Sequence, residues 1–499
     1  MNGYSFYSLI PAVTTIVISV ATHNVSLALA LGIFSGVLVI SGTAAAVIYE
    51  KTIHYAIATF ADAERVEISL FVMLIGGLLE IMSASGAYYM LADTLARRLD
   101  DAKKSRLATW LIGVFIFFDD YANVLIAGSS MRKINIINRA SIAQVGYIVD
   151  IVSEIASVAI ISTWAAYEGS IMLESSLKFN LGKGSMELLI ASLPYHFYTY
   201  LGIFFAFLTA YSGKWLGTRF ETEGACSDGG KNGGNDGDEI DAQVRTRHFL
   251  TPILSLIAFA FGGLFASGYI RLKCKGDEAA TLINILSNAP TIEVLLVSAI
   301  AATLICVYMM KKDGVLAGRS YFKIFLVGKL GMSHAALIIM LSNGLAKISA
   351  DLGTGTYITS IAGGFVTAWA LPAIIFFASC LITVATGFSW SSMAIMMPVA
   401  YQMAIAHAGA SLIPILSGAV VSGAISGAHL VPYSDKSVMT AAACKITAVY
   451  HVKTQFLNVL CAIAASIIGY LIAGATASYL LGFAAAAAII GAVHYLFAK

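Results

Sequence analysis

The sequence has 499 residues, of which 59% are hydrophobic and 12% are charged, and its formal net charge is +2. Soluble domains are about a quarter charged, so this composition excludes a soluble globular protein and predicts a membrane protein. The sequence contains no glycine-rich phosphate loop, nucleotide motif or basic patch, which argues against ATP-driven transport and against a nucleic-acid partner. Its six cysteines lack paired spacing and are interpreted as small core residues.

Apolar runs of about 18 residues or more recur along the chain, which predicts that α-helices cross a lipid bilayer. About twelve hydrophobic segments can be distinguished on this criterion. They include residues 25–49, 66–91, 197–213, 249–270, 291–310, 453–474 and 476–497. Residues 5–22 lack a preceding basic region, which indicates a retained helix rather than a targeting peptide. We therefore expect an all-α polytopic membrane protein with about 10–13 transmembrane helices.

The stretch FFDDYANVLIAGSSMRK, residues 117–133, places two adjacent carboxylates in an apolar segment. Basic stretches flank it at residues 97–106 and 131–139, and the positive-inside rule predicts that both lie on the cytoplasmic side. Residues 107–131 could cross the bilayer once, at about 1.5 Å per residue. The basic flanks instead favour a re-entrant hairpin with FDDYAN at its tip. Non-helical backbone at membrane depth requires cover from protein or water, so this tip predicts a site.

The chemistry of this tip favours cation and proton binding at Asp119, Asp120 and Asn123. An ionised aspartate at the bilayer centre costs about 3 kcal/mol. Two neighbouring carboxylates also repel each other, so the pair shares a proton or binds a cation. Asn123 shares a helical face with Asp119, and its carbonyl oxygen suits sodium. The alternative is that the aspartates cap the second arm of the hairpin, although capping requires only one of them.

A hydrophilic segment, residues 219–248, divides the chain near its midpoint and is rich in Gly, Asn and Asp. This composition predicts a flexible linker. Residues 1–218 and 249–499 have similar hydropathy, which favours two transmembrane repeats of the kind that builds many secondary transporters. A long loop between two helices is the alternative interpretation.

A second hairpin is predicted at residues 371–400, broken at TGFSWSS, residues 386–392. Residues 348–435 contain no Lys or Arg, so we expect this hairpin to enter from the outer side. The two halves would then be inverted repeats whose tips meet near the midplane. Each hairpin precedes a helix interrupted by polar residues, at 147–167 in the first half and 416–439 in the second.

The two broken helices carry the other candidate charges. Asp150 and Glu154 are four residues apart, so a helix directs both carboxylates to one side, where a cation, a proton or a basic partner must compensate them. Contact of Glu154 with water is the alternative. We expect Asp435 and Lys436 to pair either with each other or with carboxylates of the first half. The alternative is a purely structural ion pair near the membrane surface. Lys436 replaces a bound sodium ion or holds a substrate carboxylate. His429 is interpreted as a hydrogen-bonded core histidine.

The second hairpin tip offers hydroxyls instead of carboxylates. Thr386 and Ser389, with the neighbouring serines of TGFSWSS, supply oxygen ligands that suit an alkali cation. The helix N-termini at this tip would instead suit a substrate carboxylate. Serines that only pack helices together are the alternative. Ser434, next to Asp435 in the second broken helix, joins the same predicted cation and proton site.

Several motifs resemble the NhaC-type sodium/proton antiporter family of the ion transporter superfamily. They stand in register between about residue 30 and residue 470: FFDDYAN, YIVD, DLGTG, ATGFSWSSMAIMMP and SGAHLVPYSDKS. The resemblance implies a secondary carrier of the bacterial inner membrane with inverted repeats and hairpins, acting as a homodimer without a cofactor beyond transported sodium and protons. The chain departs from the family at Ala428, where an aspartate is usual, and at Lys436, where a threonine is usual. It also introduces Glu154.

These observations favour a sodium (cation)/proton antiporter that works by alternating access within the lipid bilayer. The alternative is a cation-coupled carrier of a small organic acid or amino acid, which Lys436, the lost aspartate and the hydroxyl-rich tip support. An enzyme is not expected. No selectivity-filter sequence favours a channel, and no soluble sensing domain favours a receptor.

Overall fold

The structure is a computed structural model, and it describes most of the chain. The described residues are 6–22, 24–42, 44–61, 63–87, 90, 99–217, 243–274, 285, 288–354, 357, 367–432 and 434–498. Most of the predicted linker, residues 219–248, lies outside them. Within the described residues the chain is helical apart from turns and short connections, which confirms the predicted all-α class.

The helices of the first half follow the apolar runs of the sequence. Their bounds are α1 Ile10–Thr22, α2 Val25–Ser41, α3 Ala45–Phe60, α4 Ala63–Ala84, α5 Ala102–Phe115, α6 Asp120–Ile137, α7 Ile142–Val152, α8 Thr163–Lys178, α9 Ser185–Ser192 and α10 Phe197–Ser212. A 3₁₀ segment, Ser153–Val158, continues α7.

The second half contributes the remaining described helices. Their bounds are α11 Arg247–Cys274, α12 Thr291–Lys312, α13 Tyr321–Gly331, α14 Ser333–Asp351, α15 Leu371–Thr386, α16 Ser389–Ala408, α17 Ile413–Ala428, α18 Asp435–Cys444, α19 Ala448–Thr476 and α20 Tyr479–Phe497.

The length and hydropathy of the described helices fit an integral membrane protein. Five helices are long and apolar enough to cross a bilayer singly, and three bent pairs raise the number to eight if each pair is one span. Four shorter apolar helices accompany them. Backbone hydrogen bonds within a helix satisfy the N–H and C=O groups that lipid cannot, which is why helices cross the bilayer.

The first hairpin consists of α5 and α6, whose axes run in opposite directions. Near the turn, the Asn123 amide donates to the carbonyl of Gly113 at 2.6 Å. At the far ends of the two arms, the Asn138 amide donates to Ser105 Oγ, also at 2.6 Å. The helix hairpin predicted around FDDYAN is therefore present, while its direction of entry into the membrane remains a prediction.

The second hairpin consists of α15 and α16 and turns at Gly387. This glycine has φ +74°, a left-handed conformation that a residue with a Cβ adopts only with strain. The hydroxyl of Ser392, in the second arm, donates to the carbonyl of Ser379 in the first arm at 2.8 Å. The break predicted within TGFSWSS therefore falls at this glycine.

The two broken helices use the same local design. At the first break, the Ser162 hydroxyl donates to the carbonyl six residues before it at 2.7 Å and accepts from the amide three residues after it at 2.9 Å. At the second break, the Ser434 hydroxyl forms both corresponding bonds, at 2.8 and 3.1 Å. In each case the serine caps the helix that follows, α8 or α18. The two breaks thus share one capping pattern, and the division of the chain into two repeats stays a prediction.

Close packing holds the second broken helix inside the molecule. A Cβ on Gly423 of α17 would lie 2.2 Å from the carbonyl oxygen of Phe376 in α15, and one on Gly427 would lie 2.4 Å from that of Cys380. Small residues allow helices in membranes to approach this closely. Every residue of α17 from Ile415 to Ala428 is buried, so the break after it also lies in the interior.

Candidate ion-binding site

Asp119 fastens the tip of the first hairpin to the start of α8. It caps α6, where one carboxylate oxygen accepts from the amide of Ala122 at 2.8 Å. Its other oxygen accepts from the hydroxyl of Thr163 at 3.0 Å. The capping interpretation therefore applies to Asp119, and the same carboxylate joins the hairpin to the first broken helix.

Asp120 faces the ammonium group of Lys436, which comes from the other half of the chain. Lys436 Nζ lies 3.8 Å from Asp120 Oδ2 and donates a hydrogen bond to Glu154 Oε1. All three side chains are buried, with residue exposures of 2–3%. Asp120 Oδ1 and Glu154 Oε2 have no hydrogen-bond partner among the described residues. The ammonium therefore stands between two carboxylates, each with one oxygen still available.

Asp435 binds the first hairpin through a different contact. The hydroxyl of Tyr121 donates to Asp435 Oδ2, and the backbone amide of Lys436 donates to Asp435 Oδ1 at 2.9 Å. The side chains of Asp435 and Lys436 thus have separate partners, Tyr121 and Glu154. The sequence left open whether Asp435 and Lys436 pair with each other or with carboxylates of the first half. The structure shows the second arrangement for Lys436, which pairs with Asp120 and Glu154.

Asp150 differs from Asp120 because its carboxylate is fully engaged. It accepts from the Thr440 hydroxyl at 2.9 Å and from the Gln455 amide at 2.9 Å. His451 Nε2 lies at 3.0 Å. Asp150 is in α7, whereas Glu154 is in the 3₁₀ segment, and each has its own compensating partners. Asp150 therefore behaves as an anchor between α7, α18 and α19.

His429 links the anchor to the ion pair. Its Nδ1 lies 2.9 Å from the Tyr198 hydroxyl, which donates if Nδ1 is unprotonated. Its Nε2 then carries a proton and faces Glu154 Oε1 at 3.3 Å and Asp150 Oδ2 at 3.9 Å. The interpretation as a core histidine describes its burial correctly, but the residue also sits between two carboxylates of the site.

Sequence reasoning missed the polar partners supplied by α19. His451, Thr454, Gln455 and Asn458 are all buried and occupy positions i, i+3, i+4 and i+7 of the helix. This spacing places them on one face of the helix. A polar stripe within an otherwise apolar helix was the signal that could have revealed them.

Asn123 and Ser434 have structural partners in this arrangement. Both hydrogens of the Asn123 amide donate to the end of α5, to the carbonyls of Gly113 and Ile116. Its Oδ1 has no described partner. The Ser434 hydroxyl forms the two bonds that shape the second break. Neither contact tests a role of these residues in cation binding.

The second hairpin tip has its own local contacts. Ser389 Oγ donates to the carbonyl of Ala424 at 3.1 Å. Thr386 Oγ1 lies 3.4 Å from the hydroxyl of Ser391. Both residues are buried. The described contacts of these hydroxyls are with their own hairpin and with α17.

Aromatic side chains connect the second tip to α8. The ring of Trp390 stacks on Tyr167, with centroids 4.6 Å apart, and meets Trp164 edge-on at 6.0 Å. The Tyr167 hydroxyl donates to the carbonyl of Trp390 at 2.8 Å. Since α8 also begins at Thr163, which binds Asp119, this helix lies between the two tips. The expected meeting of the tips is therefore mediated by α8.

The known proteins that the chain resembles agree with this architecture. A sequence model of the Na+/H+ antiporter family matches residues 140–475, which include both broken helices and the second hairpin. The chain belongs to the Na+/H+ antiporter family. The match begins after the first hairpin tip, so Asp119 and Asp120 lie outside the matched residues.

Two relatives of the chain are bacterial. An uncharacterized protein of Haemophilus influenzae is 27% identical over 496 residues, covering 97% of this chain and 93% of that protein. A Bacillus subtilis protein named malate-2H(+)/Na(+)-lactate antiporter is 30% identical over 180 residues, covering 31% of this chain and 37% of its own length.

A solved structure shares the fold. The crystal structure of the Alcanivorax borkumensis YdaH transporter, described as having an unusual topology, superposes with a TM-score of 0.56. The alignment covers 86% of this chain and 90% of that one, at 13% identity. Family and fold together establish an integral membrane protein that works as a secondary cation transporter.

Proposed function

We propose that the protein is a sodium (cation)/proton antiporter whose cation and protons compete for the carboxylates around Lys436. The supporting observation is the position of the Lys436 ammonium between Asp120 and Glu154, each of which keeps one buried oxygen without a partner. A positive charge already occupies this position, and hard oxygen ligands suit an alkali cation.

Charge balance couples the cation to protons at this site. A buried carboxylate without a partner is costly, so Asp120 and Glu154 need a proton, an ammonium or a metal cation nearby. In the cation-free state Lys436 balances one of the two carboxylates and a proton neutralises the other. When a cation binds their available oxygens, that proton is released. When the cation leaves, a proton returns and restores the arrangement with Lys436 between the two carboxylates.

The two broken helices give this exchange a means of reaching both sides of the membrane. The cluster of Asp120, Glu154 and Lys436 combines the first hairpin tip, the first break and the start of α18. A small shift of one half of the chain against the other therefore changes the contacts between these three side chains. Alternating access requires only that the cation-bound and proton-bound forms favour different arrangements of these elements.

The proposal is tested in proteoliposomes that carry a pH gradient and contain no organic solute. Sodium, lithium or potassium is added outside, and a trapped pH dye reports proton movement. The wild type should dissipate the gradient with at least one of these cations. Asp120→Asn should lower the rate about 10- to 100-fold, because a charged ligand worth roughly 1.5–3 kcal/mol is removed.

The control for this assay is Asp313→Asn, which removes a carboxylate outside the site. Asp313, at the end of α12, binds Arg247 and His248 at the start of α11. This variant should transport as the wild type does. A wild type that is silent with every cation would contradict the antiporter proposal.

A second candidate is a cation-coupled carrier of a small organic acid or amino acid. Its support is the relative named for malate, lactate, sodium and protons, together with the buried ammonium of Lys436. In the same assay, proton movement would then require an added carboxylate such as malate or lactate. Transport that occurs without any such solute excludes this candidate as the sole activity.

The proposed exchange takes place in the bacterial inner (cytoplasmic) membrane and requires no bound cofactor, only the transported sodium and protons. The bacterial origin of both relatives supports this location. The membrane potential and pH gradient of that membrane would supply the driving force.

A further inference from the structure

Glu168 is a buried carboxyl that the exchange described above does not use. It lies in α8, five residues after Thr163, and its exposure is 0%. Neither of its carboxyl oxygens has a hydrogen-bond partner among the described residues. Asp119 and Asp150, by contrast, have both oxygens bonded. Glu168 is thus the least compensated of these carboxyls.

The protonation state of Glu168 follows from its burial without a hydrogen-bond partner. An isolated ionised carboxylate in a low-dielectric interior is so costly that the group binds a proton instead. The titratable groups whose charges interact with it among the described residues are Glu154 and the hydroxyl of Tyr200. Neither supplies a positive charge. The sealed arrangement therefore favours Glu168 in its neutral, proton-carrying form.

The surroundings of Glu168 connect it to the ion-binding site in two ways. Helix α8 begins at Thr163, which binds Asp119, and its Tyr167 stacks on Trp390 of the second hairpin tip. A movement of either tip thus shifts the helix that carries Glu168. In addition, Glu154 interacts electrostatically both with Glu168 and with Lys436. Any change of charge at Glu154 therefore changes how tightly Glu168 holds its proton.

We propose that the Glu168 carboxyl binds and releases a second proton in each transport cycle. The inference rests on the proposed cation/proton exchange and deepens it, because it sets the number of protons moved per cation. Glu168 takes up its proton when the site opens towards one side of the membrane, carries it in the sealed state and loses it to water on the other side. One proton from the Lys436 cluster and one from Glu168 then cross against one monovalent cation.

The coupling ratio provides the test. Proteoliposomes at zero membrane potential receive a pH difference of one unit, and the sodium gradient that stops net proton flow is found. Two protons per sodium are balanced by a sodium ratio of about 100-fold and one proton by about 10-fold, since each tenfold ratio is a fixed free energy. We expect about 100-fold for the wild type and about 10-fold for Glu168→Gln.

Two further variants complete the test. Glu187→Gln changes a half-buried glutamate that pairs with Lys183, and it should keep the wild-type ratio. Glu168→Asp retains a carboxyl and should restore a ratio near that of the wild type. An unchanged ratio in Glu168→Gln, or a wild-type ratio of about 10-fold, would overturn the inference while leaving the antiporter proposal intact. A wild type without exchange would overturn both.

If Glu168→Gln does not transport, proton release on sodium binding decides the question. The purified protein is mixed with sodium in a weakly buffered detergent solution, and protons released per bound radioactive sodium are counted. The wild type should release one proton more than Glu168→Gln. Equal release by the two proteins would overturn the inference.

Discussion

The two hairpin tips share a backbone plan but differ in their chemistry. Aligned by the first residue of the second arm, Asp120 corresponds to Ser389, Tyr121 to Trp390 and Asn123 to Ser392. In both tips the last of these residues donates to a carbonyl of its own first arm. The aromatic residue in both tips contacts the broken helix of the other half, through Asp435 for Tyr121 and through Tyr167 for Trp390.

The difference between the tips lies in charge. The first tip brings the carboxylate of Asp120 to Lys436, whereas the second brings hydroxyls that bond to nearby backbone carbonyls and a tryptophan that stacks on α8. The same backbone plan therefore supports chemistry at the first tip and packing at the second. Substitutions at the first tip should therefore affect ion binding and stability more than substitutions at the second tip.

The largest expected effect concerns the ion pair at the first tip. Lys436→Met leaves Glu154 and Asp120 buried without their ammonium, so the free energy of unfolding should fall by about 3–5 kcal/mol. Unfolding in a denaturing detergent, followed by circular dichroism, measures the loss. The double variant Lys436→Met with Glu154→Gln should recover much of it, because fewer uncompensated charges remain. Strictly additive losses would show that the two groups do not interact.

Removal of the tyrosine hydroxyl at the first tip should have the next largest effect. Tyr121→Phe leaves a half-buried oxygen of Asp435 without its donor, at a cost of about 1.5–3 kcal/mol in the free energy of unfolding. The same unfolding measurement applies. In an Asp435→Asn background, Tyr121→Phe should cost less, because the acceptor is no longer a carboxylate. An equal cost in both backgrounds would argue against the charged hydrogen bond.

The two break serines should be equivalent if the halves are repeats. Ser162→Ala and Ser434→Ala each remove a cap and a bond to a buried carbonyl, so each should lower the free energy of unfolding by about 1–2 kcal/mol. Ser162→Thr and Ser434→Thr serve as controls that keep the hydroxyl. A loss at one break without a comparable loss at the other would mean that the shared geometry does not reflect shared energetics.

The smallest effect is expected at the second tip. Ser389→Ala removes one hydroxyl whose partner is the carbonyl of Ala424, so the transport rate should change less than about threefold. Initial rates in proteoliposomes give the comparison with Asp120→Asn. If Ser389→Ala abolished transport as completely as Asp120→Asn, the division between a chemical tip and a packing tip would be wrong.

Much of the fold could be predicted because apolar length and polar interruptions are local signals. FDDYAN and TGFSWSS interrupt apolar runs, and both coincide with hairpin turns in the structure. The two broken helices likewise appear where polar residues interrupt apolar sequence. Such signals depend only on what a bilayer tolerates, so the sequence alone is sufficient for them.

The partners within the site depend on distant parts of the chain and were harder to predict. Glu154 binds Lys436, 282 positions away, and Asp150 binds Gln455, 305 positions away. No periodicity specifies which buried acid meets which buried base, because that choice depends on how whole helices pack. The same reason explains why the bridging position of His429 was not foreseen.

Proton release on cation binding tests the central claim most directly. Sodium chloride is added to the purified protein in a weakly buffered detergent solution with a pH indicator, and choline chloride serves as the control. If cation and protons compete for the carboxylates around Lys436, sodium will release protons from the wild type and far fewer from Asp120→Asn. Sodium binding without proton release, or equal release from both proteins, would contradict the account.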